Sequence, residues 1–399
     1  MNVQQRNFWT INLDSILRIA PSQLVLLPCL MIFIVVINTA ISINVLELHA
    51  ISYMVLGMTL LSFVAMSFVY VRQGFMSSFT FIVITFQMLL LSSTIINGND
   101  VKSSIYDACS ITFIVMACDY YKNRYNLIVT AFAISFSVCV YLNFFHLITH
   151  PELWFIGEAK SLQGYLLGSN YNQMGCRLLC AVGTSIICLK YSRWWLLNII
   201  PVTLISIITL TIVGSMTSMT GILLFLLFCL IPSKELLRTG ILSLICVVIM
   251  FQIFVCFQGK GIEQNDLAIY LVKDILGKDI TFTNRTYLWD AAAKTFLESP
   301  IYGFGSVDKD WYYSHMTSLA FGTHNYIWSI LITGGIILLS LFSYICFVSF
   351  SKLFNTSDKY ALFIYAMIAV LFLMMTMETY PSFFIFYLLS FGYFFHHSA

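Results

Sequence analysis

Long apolar runs alternate with short polar connections along almost the whole chain. Twelve of these runs approach or reach the roughly 17–25 residues that an α-helix needs to cross the hydrocarbon core of a bilayer. They span residues 22–44, 47–71, 75–96, 103–119, 126–148, 172–190, 194–213, 218–232, 239–257, 325–350, 360–379 and 381–396. The pattern predicts an all-α polytopic membrane protein with about 12 transmembrane helices. The fourth run is short and carries Asp107, which makes it the weakest of the twelve.

The composition supports this class and excludes others. Of the 399 residues, 59% are hydrophobic and 10% are charged, whereas soluble domains are about half apolar and about a quarter charged. The net charge of +2 gives no basic field for nucleic acid. The 11 cysteines lie in or at the ends of apolar runs, an arrangement that argues against a disulfide framework or a zinc site.

Lysine and arginine concentrate in the short connections on one side of the predicted bundle, which places both termini in the cytoplasm. No cleavable signal peptide is evident, so the first span is expected to be retained. The chain then divides into a transmembrane bundle (1–257, spans 1–9, with an outer loop at 149–171), an extracytoplasmic catalytic loop with short helices (258–324), and spans 10–12 (325–399).

The loop at 258–324 carries six basic and eight acidic residues and is long enough to have structure of its own. Residues 266–276 are amphipathic and predict a surface helix. A second helix is predicted to start after Asn284, as its N-cap, and to stop before Pro300.

Two residues of this loop are the leading candidates for chemistry. Arg285 would lie in the first turn of the second helix, where free N–H groups, the helix dipole and a guanidinium favour a phosphate or diphosphate. His324 lies where the loop enters the tenth span and could act as a general base or donate to an oxyanion. The alternatives are a solvated surface arginine and an ordinary interfacial histidine.

Other candidates carry weaker signals. Gly303 and Gly305 permit close approach of a ligand but also fit a plain turn. Tyr312, in an aromatic run at 311–313, could stack on sugars or belong to an interfacial belt. Arg177, at a span boundary, either snorkels or binds a phosphate. Asp107 and Glu378 are acidic residues in or near spans that could act as partners.

Taken together, these features resemble the O-antigen polymerase and O-antigen ligase superfamily of bacterial envelope glycosyltransferases. The resemblance rests on four short stretches that are fairly specific in their order and in their position relative to the spans. They are Gly168-Ser-Asn170-Tyr-Asn172, Arg285-x-x-x-Trp289, Pro300-x-x-Gly303-x-Gly305, and His324-Asn325 leading into a span with Gly334-Gly335.

The resemblance implies a GT-C-like fold in the bacterial inner membrane, with the active loop in the periplasm. It implies an inverting transfer of a glycan from undecaprenyl diphosphate, with no metal or other cofactor. The implied partners are undecaprenyl-diphosphate-linked oligosaccharides, membrane lipids and, as a candidate, a chain-length regulator protein. His324 and Arg285 take the catalytic roles. The predicted diphosphate- and glycan-binding residues are Arg177, Asn172, Asn325, Trp289, Gly303, Gly305 and Tyr312.

One departure from the family pattern bears on the type of enzyme. Between the seventh and eighth spans the family usually has Ser-Arg or Thr-Arg, whereas this chain has Met219 where the arginine is expected. Arg177 is a candidate to supply the missing charge. The ligases are expected to keep the arginine, so its absence favours a polymerase, with a ligase as the first alternative. A transporter or flippase is the alternative from another class, but the polar residues gather in one loop, not at the bilayer midplane.

Overall fold

The computed structural model describes residues 23–42, 49–72, 74, 76–154, 165–168, 171–270, 282, 284–317 and 320–395. Within these ranges, helices α1 to α5 are Gln23–Ala40, His49–Arg72, Ser78–Ile96, Val101–Tyr120 and Tyr125–Thr149. Helices α6 to α10 are Met174–Ile187, Leu196–Val213, Met216–Leu230, Lys234–Phe251 and Asp266–Ile269. Helices α11 to α15 are Arg285–Glu298, Lys309–His315, Tyr326–Asn355, Lys359–Met375 and Ser382–Phe395.

The prediction of an all-α polytopic membrane protein is confirmed. Among the described residues, 8 helices are long and apolar enough to cross a membrane, and they include α4, the weakest of the predicted spans. The other four predicted spans coincide with the shorter apolar helices α1, α8, α14 and α15.

Of the loop helices, α11 is confirmed, whereas α12 was not predicted from the sequence. Helix α11 begins at Arg285 and ends at Glu298, as its flanking residues indicate. Asn284 occupies the N-cap position as predicted, but its backbone is left-handed with φ of 65° and its side chain makes no capping hydrogen bond to the helix. Helix α10 is described only at Asp266–Ile269, so the remainder of the predicted surface helix lies outside the described residues. The predicted outer loop at 149–171 is described only in part.

The helices divide into a buried centre and a periphery. Every residue of α6 is buried, and α14 and α15 are nearly so. In contrast, the membrane-spanning stretches of α2, α7 and α9 are mostly exposed at the surface of the protein. Only 22%, 28% and 17% of their residues, respectively, are buried. Their outward side chains are apolar, as expected for helices whose outer faces contact lipid and whose backbone polar groups are satisfied internally.

Glycines let the central helices approach closely. A Cβ atom on Gly175 would lie 2.5 Å from the Met374 methyl carbon, and one on Gly221 would lie 2.4 Å from the Met374 sulfur. A Cβ on Gly183 would likewise meet Met367. Helices α6 and α8 therefore pack on α14 through small residues, as is common between helices in membranes.

Helix α13 is broken at Gly335, whose φ of 61° and ψ of −159° are not helical. The backbone groups freed by the break are satisfied by the loop segment 300–305. Four backbone hydrogen bonds join the two, each written from the donor N–H to the acceptor carbonyl: Phe304 to Ile332 (2.8 Å), Gly305 to Thr333 (2.7 Å), Ile336 to Pro300 (2.9 Å) and Ile337 to Ile301 (3.4 Å). Segment 300–305 can therefore pack against a spanning helix, because its backbone groups form the hydrogen bonds that the broken helix lacks.

The same segment is also bound to α3 and to the connection after it. The Ser306 backbone N–H donates to the Thr94 hydroxyl at 2.8 Å, and the Asn99 side chain donates to the Phe304 carbonyl at 2.6 Å. Residues 300–306 are therefore hydrogen-bonded to α13 on one side and to α3 and its following connection on the other. These contacts hold the loop between α11 and α12 against the bundle.

Candidate active site

Arg285 is the first residue of α11, and its side chain is 16% exposed. Nη1 donates to the Phe282 carbonyl at 3.3 Å, and Nη2 lies 3.6 Å from Oε2 of Glu378. The buried Nε has no hydrogen-bond partner among the described residues. The guanidinium therefore combines one carboxylate neighbour with donor capacity that the described contacts do not use.

His324 immediately precedes Asn325, the N-cap of α13. Its Nδ1 lies 3.0 Å from Oε1 of Glu378, and its side chain is 23% exposed. The backbone at His324 is left-handed, with φ of 47°. A residue with a Cβ atom rarely adopts this conformation without support from the surrounding structure.

Glu378, in the connection between α14 and α15, joins the two candidates. Its side chain is only 4% exposed and contacts both Arg285 and His324. Burial alone would raise its pKa, but His324 and Arg285 outweigh that effect and hold the pKa below its usual value of 4.5. The three side chains thus form one network with a buried carboxylate at its centre.

Two contacts hold the His324 and Glu378 segments together. The Asn325 amide donates to the Thr376 carbonyl at 3.0 Å and to the Gln252 side chain at 2.8 Å. On the other side of His324, the hydroxyls of Thr323 and Thr379 lie 3.3 Å apart. Asn325, predicted to bind substrate, is itself fully buried and uses its amide within the protein.

Arg285, His324 and Glu378 face a cavity of about 1570 Å³. Four cationic and four anionic side chains are among the described residues that line it, namely Lys260, Arg285, Lys294, Lys309, Asp107, Asp290, Glu298 and Glu378. Apolar side chains from spanning helices α3 and α13 line another part, among them Phe86, Leu90, Ile330 and Leu338. The cavity can therefore hold a molecule with a polar, charged part and an apolar part.

Two further predicted site residues line this cavity. The Asn172 side-chain oxygen accepts a hydrogen bond from the Ser215 hydroxyl at 3.1 Å. Tyr312, on α12, is 8% exposed. Burial raises the pKa of Tyr312 to about 12, so its hydroxyl keeps its proton at neutral pH.

Arg177 and Trp289 are not among the residues that line the cavity. The Arg177 guanidinium donates to the Gln173 carbonyl at 2.8 Å and the Thr39 carbonyl at 3.3 Å, and it lies 5.0 Å from the centre of the Phe384 ring. Trp289, on α11, is fully buried in an apolar cluster that it forms with residues of α11, α12 and α13. Substrate contact by either residue remains a prediction.

Gly303 and Gly305 are also not among the lining residues, although Ser306 and Val307 are. A Cβ on Gly303 would lie 2.5 Å from the Gly334 nitrogen, and one on Gly305 would lie 2.3 Å from Thr94 Cα. Both glycines have positive φ. The backbone that approaches them is the protein's own, at the break in α13 and at α3.

The connection between α7 and α8 contributes Gly214 to the cavity wall, and the first turn of α8 contributes Met216 and Thr217. Met219, where the family's arginine is expected, packs against the main apolar core. No cation from this connection reaches the cavity, because the chain has neither lysine nor arginine between residues 214 and 221. Among the described residues, no group of three or more His, Cys, Asp or Glu side chains could hold a metal ion.

The resemblance drawn from the sequence agrees with a family comparison. Residues 201–343 match the family model described as O-antigen ligase, which confirms the predicted relation to the O-antigen polymerase and ligase superfamily. The matched region contains Arg285 and His324 but not Glu378. It supports a glycosyltransferase-like enzyme and does not separate the polymerase from the ligase. The comparison with curated proteins finds no match.

Sequence reasoning named Glu378 only as a possible partner, and the structure puts it at the centre of the network. A signal was present, because Glu378 is the only acidic residue after Asp358 and interrupts an otherwise apolar region. Its partners could not be named in advance, since they lie on two other segments that only the packing of α11, α13 and α14 brings together.

Proposed function

We propose that this protein is a glycan polymerase of the bacterial inner membrane. It transfers the growing chain from undecaprenyl diphosphate to the non-reducing end of a lipid-linked repeat unit. The proposal rests on the Arg285–Glu378–His324 network. This network lies on the wall of a cavity that is lined partly by charged side chains and partly by apolar side chains of spanning helices. A lipid-linked saccharide has the same two-part character.

Arg285 binds the diphosphate of the donor. A guanidinium with free N–H groups matches the geometry of phosphate oxygens and can bind two of them at once. Its position at the start of α11 adds the free backbone N–H groups and the positive end of the helix dipole. These groups stabilise the negative charge that accumulates on the diphosphate as it leaves.

His324 acts on the acceptor. With Nδ1 directed at Glu378, the other ring nitrogen, Nε2, is the one left for an acceptor hydroxyl. As the acceptor oxygen bonds to the sugar C1, the bond from C1 to the diphosphate breaks and the bonding electrons leave with the diphosphate. The hydroxyl proton passes to Nε2, and Glu378 stabilises the imidazolium that forms. A single displacement of this kind inverts the configuration at C1.

The polymerase is favoured over the ligase by the connection between α7 and α8. Met219, in the first turn of α8, occupies the place where an arginine is expected in the ligases and packs against the apolar core. The neighbouring residues that do line the cavity, Gly214, Met216 and Thr217, are uncharged. The donor and the chemistry are the same in both enzymes. The difference lies in the acceptor, which is a lipid-linked repeat unit for a polymerase and a lipid A core for a ligase.

The test is a lipopolysaccharide gel from a strain of the host that lacks the gene. Loss of the ladder with one repeat unit left on the core supports the polymerase. Loss of all O-antigen, with lipid-linked polymer accumulating, identifies the ligase instead. An unchanged ladder contradicts both and points to transport.

Complementation links this phenotype to the site. Arg285→Ala and His324→Ala should fail to restore the ladder at wild-type protein level. Arg285→Lys should restore little of it, because an ammonium cannot make a two-point phosphate contact. Arg72→Lys is the matched control, since Arg72 is exposed at the end of α2. Full activity of Arg285→Lys would contradict the proposed phosphate contact.

A further inference from the structure

Helix α4 carries two acidic residues in very different surroundings. The Asp119 carboxylate accepts hydrogen bonds from the hydroxyls of Tyr70 and Thr80 and pairs with Lys122 at 3.0 Å. It is buried and fully engaged, which marks it as a structural group. Asp107 is the opposite case, because its side chain is exposed and lines the cavity.

No salt bridge or hydrogen bond of the Asp107 side chain occurs within the described part of the chain. Asp100, the N-cap of the same helix, is also acidic and offers Asp107 no counter-charge. An ionisable side chain in a spanning helix is costly and usually marks a functional site. Because Asp107 is exposed on the cavity wall, its carboxylate is accessible to a bound molecule.

Asp107 lies at the level of the candidate active site. It lines the same cavity as Tyr326, whose hydroxyl donates to the Ser382 hydroxyl at 3.0 Å. Tyr326 and Ser382 begin α13 and α15, directly after the segments that carry His324 and Glu378. All of these residues line the same cavity. A molecule bound near His324 can therefore extend to Asp107.

The chemistry of this wall selects the ligand. A carboxylate without a neighbouring cation repels a diphosphate, so Asp107 does not share the place assigned to that group beside Arg285. A carboxylate does accept hydrogen bonds at both oxygens, and two adjacent sugar hydroxyls can supply them. Hydroxyls of Ser329, Thr333 and Ser382 on the same cavity provide further polar contacts.

We propose that Asp107 positions the acceptor sugar by accepting hydrogen bonds from its hydroxyls. This inference rests on the proposed function. The diphosphate and Asp107, both anionic, then occupy separate parts of one cavity. Asp107 sets which acceptor is held beside His324 without taking part in bond making, and it is a positioning residue.

The test separates acceptor binding from donor binding. The full-length protein in lipid nanodiscs is given as donor the host's own lipid-linked repeat unit, blocked at the non-reducing-end hydroxyl so that it cannot also act as acceptor. The acceptor is a water-soluble repeat-unit oligosaccharide released from the host polymer. In Asp107→Asn, we expect the KM for the acceptor to rise about tenfold or more, since bonds to a charged group are stronger than neutral ones. The KM for the donor should stay within about twofold of the wild-type value.

The matched control is Asp100→Asn. Asp100 is the N-cap of the same helix and accepts from the Ser103 N–H at 3.0 Å, and asparagine caps about equally well. It should leave both KM values unchanged. An unchanged acceptor KM in Asp107→Asn, or an equal rise in both KM values, would overturn the inference alone. Absence of transfer by the wild type would overturn the proposed function and the inference with it.

Discussion

His324 Nδ1 and Glu378 Oε1 lie 3.0 Å apart, although they belong to separate connections of the chain. The contact is supported on both sides, because Thr323 meets Thr379 and Asn325 binds the Thr376 carbonyl. His324 also lines the cavity, so its ring stands between the carboxylate and the space for substrate. The pair therefore has the features of a histidine base oriented by a carboxylate.

The first prediction concerns the charge of Glu378. Glu378→Gln keeps the size of the side chain but removes the charge that stabilises a protonated His324. We expect transfer activity to fall by about 10- to 100-fold, the range that corresponds to losing one hydrogen bond to a charged group. The measurement is the initial rate of polymer formation by purified protein, normalised to folded protein.

Glu298→Gln is the matched control for this change. Glu298 also lines the cavity, but it is exposed at the end of α11. Its substitution should leave the rate within about twofold of the wild-type value, as is usual for an exposed side chain. Equal rates for Glu378→Gln and the wild type would contradict the role of the carboxylate.

The same carboxylate predicts a pH dependence of stability. His324 and Arg285 hold the pKa of Glu378 below its usual value of 4.5 in the folded protein, despite its burial. A depressed folded-state pKa means that the carboxylate stabilises the fold fully above about pH 4.5 and loses this effect as the pH falls towards the folded-state pKa. We expect the Tm of the wild type to exceed that of Glu378→Gln at pH 7, and the gap to narrow below about pH 4.5. A gap that widens on acidification would contradict this assignment.

The helices could be predicted from the sequence because each apolar run leaves few alternatives in a membrane. Arg285 and His324 could be identified by their place at the ends of predicted elements. The break in α13 could not be predicted, because Gly334 and Gly335 within an apolar run are also compatible with a continuous helix. The break exists only because residues 300–305 supply the missing hydrogen bonds, and that contact joins distant parts of the chain.

Gly303 and Gly305 illustrate the same limit. The sequence indicates that the backbone must approach something closely, but not what it approaches. The structure shows that the neighbours are Gly334 and Thr94 of the protein itself. The requirement for glycine at these positions is therefore explained by packing between the loop and the bundle.

A glycine substitution tests this explanation. In Gly305→Ala, the new methyl group would lie 2.3 Å from the Thr94 Cα, at a residue with φ of +78°. Both the contact and the conformation are unfavourable for alanine. We expect a marked loss of folded protein and a lower Tm. Gly57→Ala is the control, because this glycine lies in α2 with nothing within 4 Å of an added Cβ, and it should be neutral or slightly stabilising. A stable Gly305→Ala protein that lacks activity would instead favour a contact with substrate.

Arg177 provides a test of the hypothesis that it replaces the arginine missing near Met219. Its guanidinium bridges α1, α6 and α15 through the carbonyls of Thr39 and Gln173 and the Phe384 ring. These contacts predict that Arg177→Ala lowers the Tm by several degrees, because buried carbonyls lose their donors. Arg72→Ala is the matched control, since Arg72 also lies 5.0 Å from the centre of a phenylalanine ring but is exposed at the end of α2. Its Tm should change little.

The decisive measurement on Arg177→Ala is the transfer rate per folded molecule. The described contacts of Arg177 are all within the protein, so we expect this rate to be retained while the Tm falls. That outcome would reject the replacement hypothesis and leave Arg285 as the arginine that binds the diphosphate. If Arg177→Ala keeps the wild-type Tm but loses the transfer rate, the replacement hypothesis is supported. The guanidinium would then have to exchange its carbonyl partners for phosphate oxygens when the donor binds, and the KM for the donor should rise in Arg177→Ala.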